Sequence, residues 1–210
     1  MKKSQIDLSL YLVTEESLAI EDLTRIIAES VSGGVSIVQL REKNNSSLSF
    51  YKKASALKQL LNELSIPLII NDPVDIALAV GADGIHIAQD DVPLPVVKKM
   101  VPEDMIVGVS VSTLEEALEA ERNGADYIGV GSVFPTKTKQ DATLMALEDL
   151  GGICRGVSIP AVAIGGITAD NMSALSNSGL SGTAVVSAIM NADNPKTASE
   201  SLLKIIKDFK

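Results

Sequence analysis

Short runs of branched aliphatic residues alternate along this chain with longer stretches in which apolar residues recur at helical spacing. The short runs predict eight β-strands, at residues 8–14, 36–42, 67–72, 84–88, 105–111, 127–133, 161–166 and 183–189. The longer stretches predict helices at residues 23–30, 51–64, 74–80, 93–100, 114–123, 145–154, 170–178 and 201–209. Small residues follow several of these helices, as at 33–34, 81–82 and 124–125, which is typical of helix C-termini.

Eight β-then-α units without a linker or a break in composition favour an α/β fold of the closed (β/α)₈ type. This is a TIM barrel, expected as one catalytic domain over residues 1–210. An open, doubly wound sheet is the alternative, because the number of strands does not show whether the sheet closes. Both folds bind ligands at the carboxyl ends of the strands, so polar residues at those ends are the candidates for function.

Composition and charge narrow the class of protein. Aromatic residues make up 3% of the chain and Trp is absent, so the core must be built from aliphatic side chains. The formal net charge of −9 argues against nucleic acids and anionic membranes as partners, and small-molecule substrates are expected instead. A single Cys and a single His exclude an internal disulfide and the usual zinc sites. The N-terminal apolar stretch is too short for a signal peptide or a membrane span, which predicts a cytoplasmic protein, and a homo-oligomer is left open.

A basic pair follows the second predicted strand. Arg41 and Lys43 are two residues apart, so in extended chain both side chains point to the same face. A basic pair at this end of a strand suits the binding of a phosphate. An ordinary solvated charge pair explains the two residues equally well when they are considered alone.

Two aspartates follow the third and fourth predicted strands. Asp72 and Asp91 could hold Mg²⁺, which proteins bind through one or two carboxylates together with substrate phosphates and water. Capping of the next helix is the alternative, because Asp72 precedes Pro73 and Asp91 shortly precedes Pro93. Two such aspartates beside a basic pair favour the metal.

The later strands are followed by hydroxyl groups, amines and glycines. Ser110 ends the fifth strand, and residues 136–139 place two hydroxyls and two amines after the sixth. Gly166 lies in a glycine pair after the seventh strand, and the segment 186–187 follows the eighth, where TIM barrels often bind phosphate. These positions predict a barrel enzyme with two anion sites, one of them associated with a divalent cation.

His86, within the fourth strand, is expected to be a packed and hydrogen-bonded core group, and Cys154 is expected to be a structural residue.

The chain resembles the thiamine-phosphate synthase family in the segments QLREK (39–43), IND (70–72), GADGIHIAQDD (81–91), GVS (108–110), GSVFPTKTK (131–139) and AIGGI (163–167). This resemblance runs in order through essentially the whole sequence. It implies a TIM-barrel transferase that condenses hydroxymethylpyrimidine diphosphate with a thiazole phosphate or its carboxylate. The products are thiamine phosphate and pyrophosphate.

The resemblance also implies site residues. The pyrimidine and diphosphate contacts fall on Gln39, Leu40, Arg41, Glu42, Lys43, Asn71, Ser110 and Lys139, and Mg²⁺ falls on Asp72 and Asp91. The thiazole phosphate falls on Thr136, Lys137, Thr138, Gly166, Val186 and Ser187. The roles expected to be catalytic are those of Arg41, Lys43, Ser110 and Lys139.

Two positions depart from the family pattern. Ser132 stands where the family often has Pro, and Ser112 stands where it often has His. A thiazole tautomerase-like relative on the same barrel is the nearest alternative function, but such relatives depend on a His at the position of Ser112. A phosphate-binding isomerase or epimerase barrel and a non-catalytic binding protein are the other classes considered.

Overall fold

A computed structural model of the chain describes residues 6–16, 18–136 and 144–209. Eight parallel strands close into a barrel in chain order, with the last strand paired to the first. The strands are β1 (Leu10–Val13), β2 (Ile37–Leu40), β3 (Leu68–Asn71), β4 (Gly84–Ile87), β5 (Ile106–Val111), β6 (Tyr127–Val130), β7 (Ala161–Ile164) and β8 (Gly182–Val185). The helices are α1 (Ile20–Ser32), α2 (Ser47–Leu64), α3 (Val74–Val80), α4 (Leu94–Met100), α5 (Leu114–Arg122), α6 (Leu147–Gly156), α7 (Ser187–Met190) and α8 (Pro195–Lys207). The predicted TIM barrel is confirmed, and the open sheet is excluded.

The strands are buried on both faces. Successive residues of a strand point to opposite sides of the sheet, so Leu12, Val38 and Ile70 pack in the layer between barrel and helices. Tyr11 and Tyr127 belong to the other set, which fills the inside of the barrel. Because both sides are apolar, the strands read in the sequence as continuous hydrophobic runs rather than as alternating ones.

The helices cover the barrel, each with one apolar face turned inward. In α2, the buried positions Phe50, Leu57 and Leu61 recur at helical spacing, and Ser46 caps the first turn by accepting a hydrogen bond from the amide of Ser49. Within the described ranges, no helix combines the length and the apolar character needed to cross a membrane.

Two predicted elements differ from the structure. The run 183–189 was predicted as one strand, but the strand ends at Val185 and a short helix begins at Ser187. The backbone of Val186, with φ −117° and ψ −89°, leaves the extended region between them. The stretch 170–178 was predicted as a helix and forms only a 3₁₀ turn, Met172–Leu175, whose two buried residues are three apart, as in a 3₁₀ helix.

Candidate active site

A cavity of about 360 Å³ opens at the carboxyl end of the barrel. Each of the eight strands contributes to its wall, either through its last residues or through the loop that follows. The predicted site residues that line it are Gln39, Arg41, Lys43, Asn71, Ser110, Thr136, Gly166, Val186 and Ser187. The fold therefore gathers around one space residues that are far apart in sequence.

At the end of β2 and in the residues that follow, successive side chains alternate between the cavity and the surrounding helices. Gln39, Arg41 and Lys43 share one direction and line the wall. Leu40 points the other way and is fully buried in the layer between barrel and helices. Glu42 also points away, and its buried carboxylate pairs with an amine on α2. Leu40 and Glu42 are predicted to contact the substrate; they do not line the cavity, and the contact itself stays a prediction.

Asp72 and Asp91 lie side by side next to the basic pair. Asp91 Oδ1 is 4.0 Å from Lys43 Nζ. Asp91 Oδ2 accepts a hydrogen bond of 2.8 Å from the amide of Ala88, which fixes this carboxylate on the loop after β4. Burial raises the pKa of Asp72, and the negative charge of Asp91 raises it further. The two carboxylates thus repel each other beside Lys43, which lines the cavity, although neither aspartate lines it itself.

Helix capping does not explain these two aspartates. The N-cap residues of α3 and α4 are Pro73 and Pro93, and neither helix has a side-chain hydrogen bond at its cap. Asp72 is one residue and Asp91 two residues outside the cap position. The carboxylates are therefore directed to each other and to the loop after β4 rather than to helix N-termini.

The carboxylate pair fits a Mg²⁺ ion that has few protein ligands. Mg²⁺ is commonly held by one or two carboxylates, with substrate phosphates and waters completing its octahedron. In the parts of the chain that the structure describes, no group of three or more His, Cys, Asp or Glu side chains is placed to hold a metal ion. A cation between Asp72 and Asp91 would offset the repulsion that raises the pKa of Asp72. The donor set suits the predicted ion, whose binding stays a prediction.

Five polar side chains form one hydrogen-bonded chain, which we call the polar column: Gln39, Tyr11, Tyr127, His86 and Ser110. Gln39, His86 and Ser110 line the cavity, and the two tyrosines lie beneath it. Gln39 Nε2 donates to Tyr11 Oη at 2.8 Å, and the two tyrosine hydroxyls are 2.8 Å apart. His86 Nδ1 is 2.9 Å from Tyr127 Oη, and His86 Nε2 is 2.9 Å from Ser110 Oγ. The two ends of the column, Gln39 and Ser110, are predicted substrate contacts, so the column fixes both of them from below.

Two glycines make room for the column inside the barrel. A Cβ added to Gly108 would lie 2.1 Å from Cζ of Tyr127, and one added to Gly129 would lie 3.2 Å from Cε1 of His86. Sequence reasoning did not single out Tyr11 or Tyr127. A tyrosine and a glycine at inward-facing positions of neighbouring strands are the signal that could have found them.

His86 is packed and hydrogen-bonded inside the barrel, as predicted, and it also lines the floor of the cavity. Burial lowers the pKa of His86 to about 4, because an imidazolium there would lose its hydration. The ring is therefore neutral at pH 7. A neutral imidazole can accept a hydrogen bond at one nitrogen and donate at the other, which suits its place between two hydroxyls.

The opposite side of the cavity, formed by the ends of β6 to β8, is built mainly from backbone. Gly166 has a φ of +63°, and a Cβ added there would lie 2.4 Å from the carbonyl oxygen of Pro135. The loops after β6 and β7 are joined by a 3.0 Å hydrogen bond from the amide of Phe134 to the carbonyl of Gly165. The predicted residues Lys137, Thr138 and Lys139 lie outside the described residues.

Comparisons with known proteins agree in sequence and in structure. Residues 10–189 match the model of a family described as thiamine monophosphate synthase. The thiamine-phosphate synthase of Methanobrevibacter smithii is 52% identical over 97% of this chain and 98% of that protein, and the one from Ruminiclostridium cellulolyticum is 50% identical over 97% of each. The solved structure of thiamine phosphate pyrophosphorylase from Pyrococcus furiosus superimposes with a TM-score of 0.87 at 40% identity, covering 97% of this chain and 98% of that one.

Proposed function

This chain belongs to the thiamine monophosphate synthase family, and we propose that it joins hydroxymethylpyrimidine diphosphate to a thiazole phosphate in a Mg²⁺-dependent reaction. It is accordingly a transferase of thiamine biosynthesis, and a cytoplasmic location is part of the proposal. The observation that carries the proposal is that Lys43, which lines the cavity together with Arg41, lies 4.0 Å from Asp91 Oδ1, and that Asp91 in turn adjoins Asp72. Cations for a diphosphate and hard oxygens for its metal ion are thereby available together.

The proposed reaction has two bond changes. The C–O bond between the pyrimidine methylene and the diphosphate breaks, and the diphosphate leaves with the electron pair. The thiazole nitrogen then donates its lone pair to the methylene carbon and forms the C–N bond. Neither change needs a protein nucleophile or the transfer of a proton.

The charge on the leaving diphosphate grows as the C–O bond breaks, so cations that are already in position favour the transition state. Arg41 and Lys43 supply such cations from the wall of the cavity, and Lys139 is predicted to add a third. When bound between Asp72 and Asp91, Mg²⁺ would supply further positive charge against the diphosphate oxygens. The protein's main contribution is then electrostatic.

The polar column supports the positioning part of the mechanism. Ser110 and Gln39 present hydrogen-bonding groups to the cavity, and their orientation is set by Tyr11, Tyr127 and His86 below them. A fixed floor of this kind can hold the pyrimidine ring while the thiazole approaches from the side of Gly166 and Ser187.

The tautomerase-like alternative finds no support. A proton shift requires an acid or base whose pKa lies near the working pH. Ser112, at the position where such relatives depend on His, is an alcohol whose amide and hydroxyl both donate to Glu116, at 2.6 and 3.0 Å. The relatives described above carry the synthase name.

Incubation of the pure protein with both substrates and Mg²⁺ tests the proposal. Thiamine phosphate should appear by mass spectrometry together with an equal amount of pyrophosphate, and removal of Mg²⁺ by EDTA should stop both. A reaction that lacks the thiazole phosphate is the control. Conversion of the thiazole substrate alone would indicate a tautomerase, and binding of both substrates without pyrophosphate release would indicate a binding protein.

A further inference from the structure

A buried ion pair lies directly behind the basic pair of the cavity. Lys53 Nζ, on α2, is 2.9 Å from Glu42 Oε1 and 3.1 Å from Oε2, so the ammonium bridges both carboxylate oxygens. The side chain of Glu42 is 0% exposed and that of Lys53 is 9% exposed. Asn45 Nδ2 donates a further hydrogen bond to Glu42, and Lys53 Nζ donates to the carbonyl oxygen of Glu16 at 2.8 Å. Both charges are thus satisfied by protein groups.

The same network ties the loop after β2 to the loop after β1. The amide of Arg41 donates to Thr14 Oγ1 at 3.1 Å. The carboxylate of Glu16 accepts hydrogen bonds from the backbone amide and the side chain of Asn44, at 2.5 and 3.0 Å. Lys53 completes the connection because it contacts both loops at once.

Glu42 stands between the two cations of the cavity wall. Residues 41–43 follow the end of β2, and their side chains still alternate in direction, so anchoring the middle one outward favours an inward direction for its two neighbours. Arg41 and Lys43 both line the cavity, whereas Glu42 is held against α2. We propose that the ion pair of Glu42 with Lys53 is a positioning device that holds Arg41 and Lys43 at the anion-binding wall. The identity of the anion, a diphosphate, rests on the proposed function.

A role in stability alone is the competing explanation, and one replacement separates the two. An apolar pair of similar volume can replace a buried ion pair with little loss of stability, whereas removal of one partner leaves an unpaired buried charge. The variant that carries both Glu42→Leu and Lys53→Met therefore keeps the packing behind the loop. It removes the directional contacts that hold the loop in register.

Pyrophosphate with Mg²⁺ is the probe, and its binding is measured by calorimetry beside the kinetic constants of the full reaction. The double variant should melt near the wild-type temperature but bind pyrophosphate at least about tenfold more weakly. Its KM for the pyrimidine diphosphate should rise by a similar factor, and its KM for the thiazole phosphate should not change. The single variant Lys53→Arg keeps the charge and the donors, so it should retain most of the wild-type affinity for pyrophosphate.

Lys58→Met is the matched control. Lys58 lies on the same helix, and its Nζ is 2.7 Å from Asp83 Oδ2, at the amino end of β4 and away from the cavity. This variant should bind pyrophosphate as the wild type does.

A folded double variant with wild-type affinity for pyrophosphate would overturn the proposal. If that variant does not fold, Glu42→Gln together with Lys53→Met gives the same decision, because it leaves no buried charge; its affinity should fall severalfold, and an unchanged value would contradict the positioning role. A wild-type protein that binds pyrophosphate but makes no thiamine phosphate would instead contradict the proposed function, while the comparison of affinities would still test the ion pair.

Discussion

Two sides of the cavity are built in different ways. On the charged side, Arg41 and Lys43 line the wall and the carboxylates of Asp72 and Asp91 lie next to Lys43, so this side acts through charged side chains. The backbone side consists of the segments 165–166 and 186–187, where a close approach of main chain replaces long side chains. The charged side should therefore be sensitive to changes of charge at constant size, and the backbone side to changes of size at constant charge.

The largest effect is expected from Asp72→Asn and Asp91→Asn. Each substitution keeps the size of the side chain but removes an anionic oxygen from the carboxylate pair, which weakens the site for Mg²⁺. We expect each variant to fold and to lose kcat/KM on the order of 1000-fold at limiting Mg²⁺, with partial recovery at high Mg²⁺. Initial rates over a Mg²⁺ titration provide the measurement.

Asp75→Asn is the control for this pair of variants. Asp75 lies in the first turn of α3, is exposed, and contributes to raising the pKa of Asp72, but it is not one of the two predicted metal ligands. Its activity should stay within about twofold of the wild type, as exposed charges contribute little. Wild-type activity in all three variants at limiting Mg²⁺ would show that Asp72 and Asp91 do not bind the metal ion.

The next effect concerns the polar column, which contributes to the floor of the cavity. The folded protein keeps His86 neutral down to its pKa of about 4, whereas the unfolded chain protonates it near the ordinary value of 6.5. Protons therefore bind the unfolded chain preferentially between these values, and the free energy of unfolding should fall by about 3 kcal/mol as the pH drops from 7 to 4 through this group. Above pH 6.5 the group should have no effect.

Urea unfolding at several pH values measures this loss, and His86→Gln should remove it from the profile. His86 is the only histidine in the sequence, so its NMR titration needs no assignment. A folded-state pKa near 6.5 would mean that the floor of the cavity is hydrated and that the column does not exclude water.

The backbone side is tested by Gly166→Ala. The added Cβ lies 2.4 Å from the Pro135 carbonyl oxygen and forces the loops after β6 and β7 apart, in addition to the strain of a positive φ. We expect KM for the thiazole phosphate to rise about tenfold, because overpacking typically costs about 1–3 kcal/mol. KM for the pyrimidine diphosphate should change much less.

Gly81→Ala is the control, because Gly81 has nearly the same φ, +61°, and nothing within 4 Å of the added Cβ. It reports the strain of the backbone without the overlap. A loss of activity that is equal in both variants would show that the contact with Pro135 has no part in substrate binding.

The fold and the charged side could be predicted because they depend on local rules. Eight apolar runs specify eight buried strands, and the spacing of two between Arg41 and Lys43 places both on one face. The same rule predicts that the side chains of Leu40 and Glu42 point away from the cavity, and neither residue lines it. The resemblance implies a continuous segment of contacts and does not distinguish side chains by their direction.

The polar column and the ion pair behind the cavity could not be predicted in the same way. The contact of Tyr11 with Tyr127 crosses the interior of the barrel, and it depends on how the strands are staggered when the sheet closes. The pairing of Glu42 with Lys53 depends on the rotation of α2 about its axis, which the packing of its apolar face determines. Both contacts are properties of the assembled barrel rather than of any single segment.

The smallest effect is expected from Ser110→Ala, at one end of the polar column. The hydroxyl lies 2.9 Å from His86 Nε2, so its removal leaves one imidazole nitrogen without this partner and removes one contact offered to the cavity. A single hydrogen bond contributes about 1 kcal/mol, so KM for the pyrimidine diphosphate should rise about fivefold while the protein stays folded. Ser112→Ala is the matched control, because Ser112 also lines the cavity but its hydroxyl is already donated to Glu116. A selective rise in KM for the thiazole phosphate in Ser110→Ala would assign Ser110 to the backbone side and would contradict its predicted contact with the pyrimidine diphosphate.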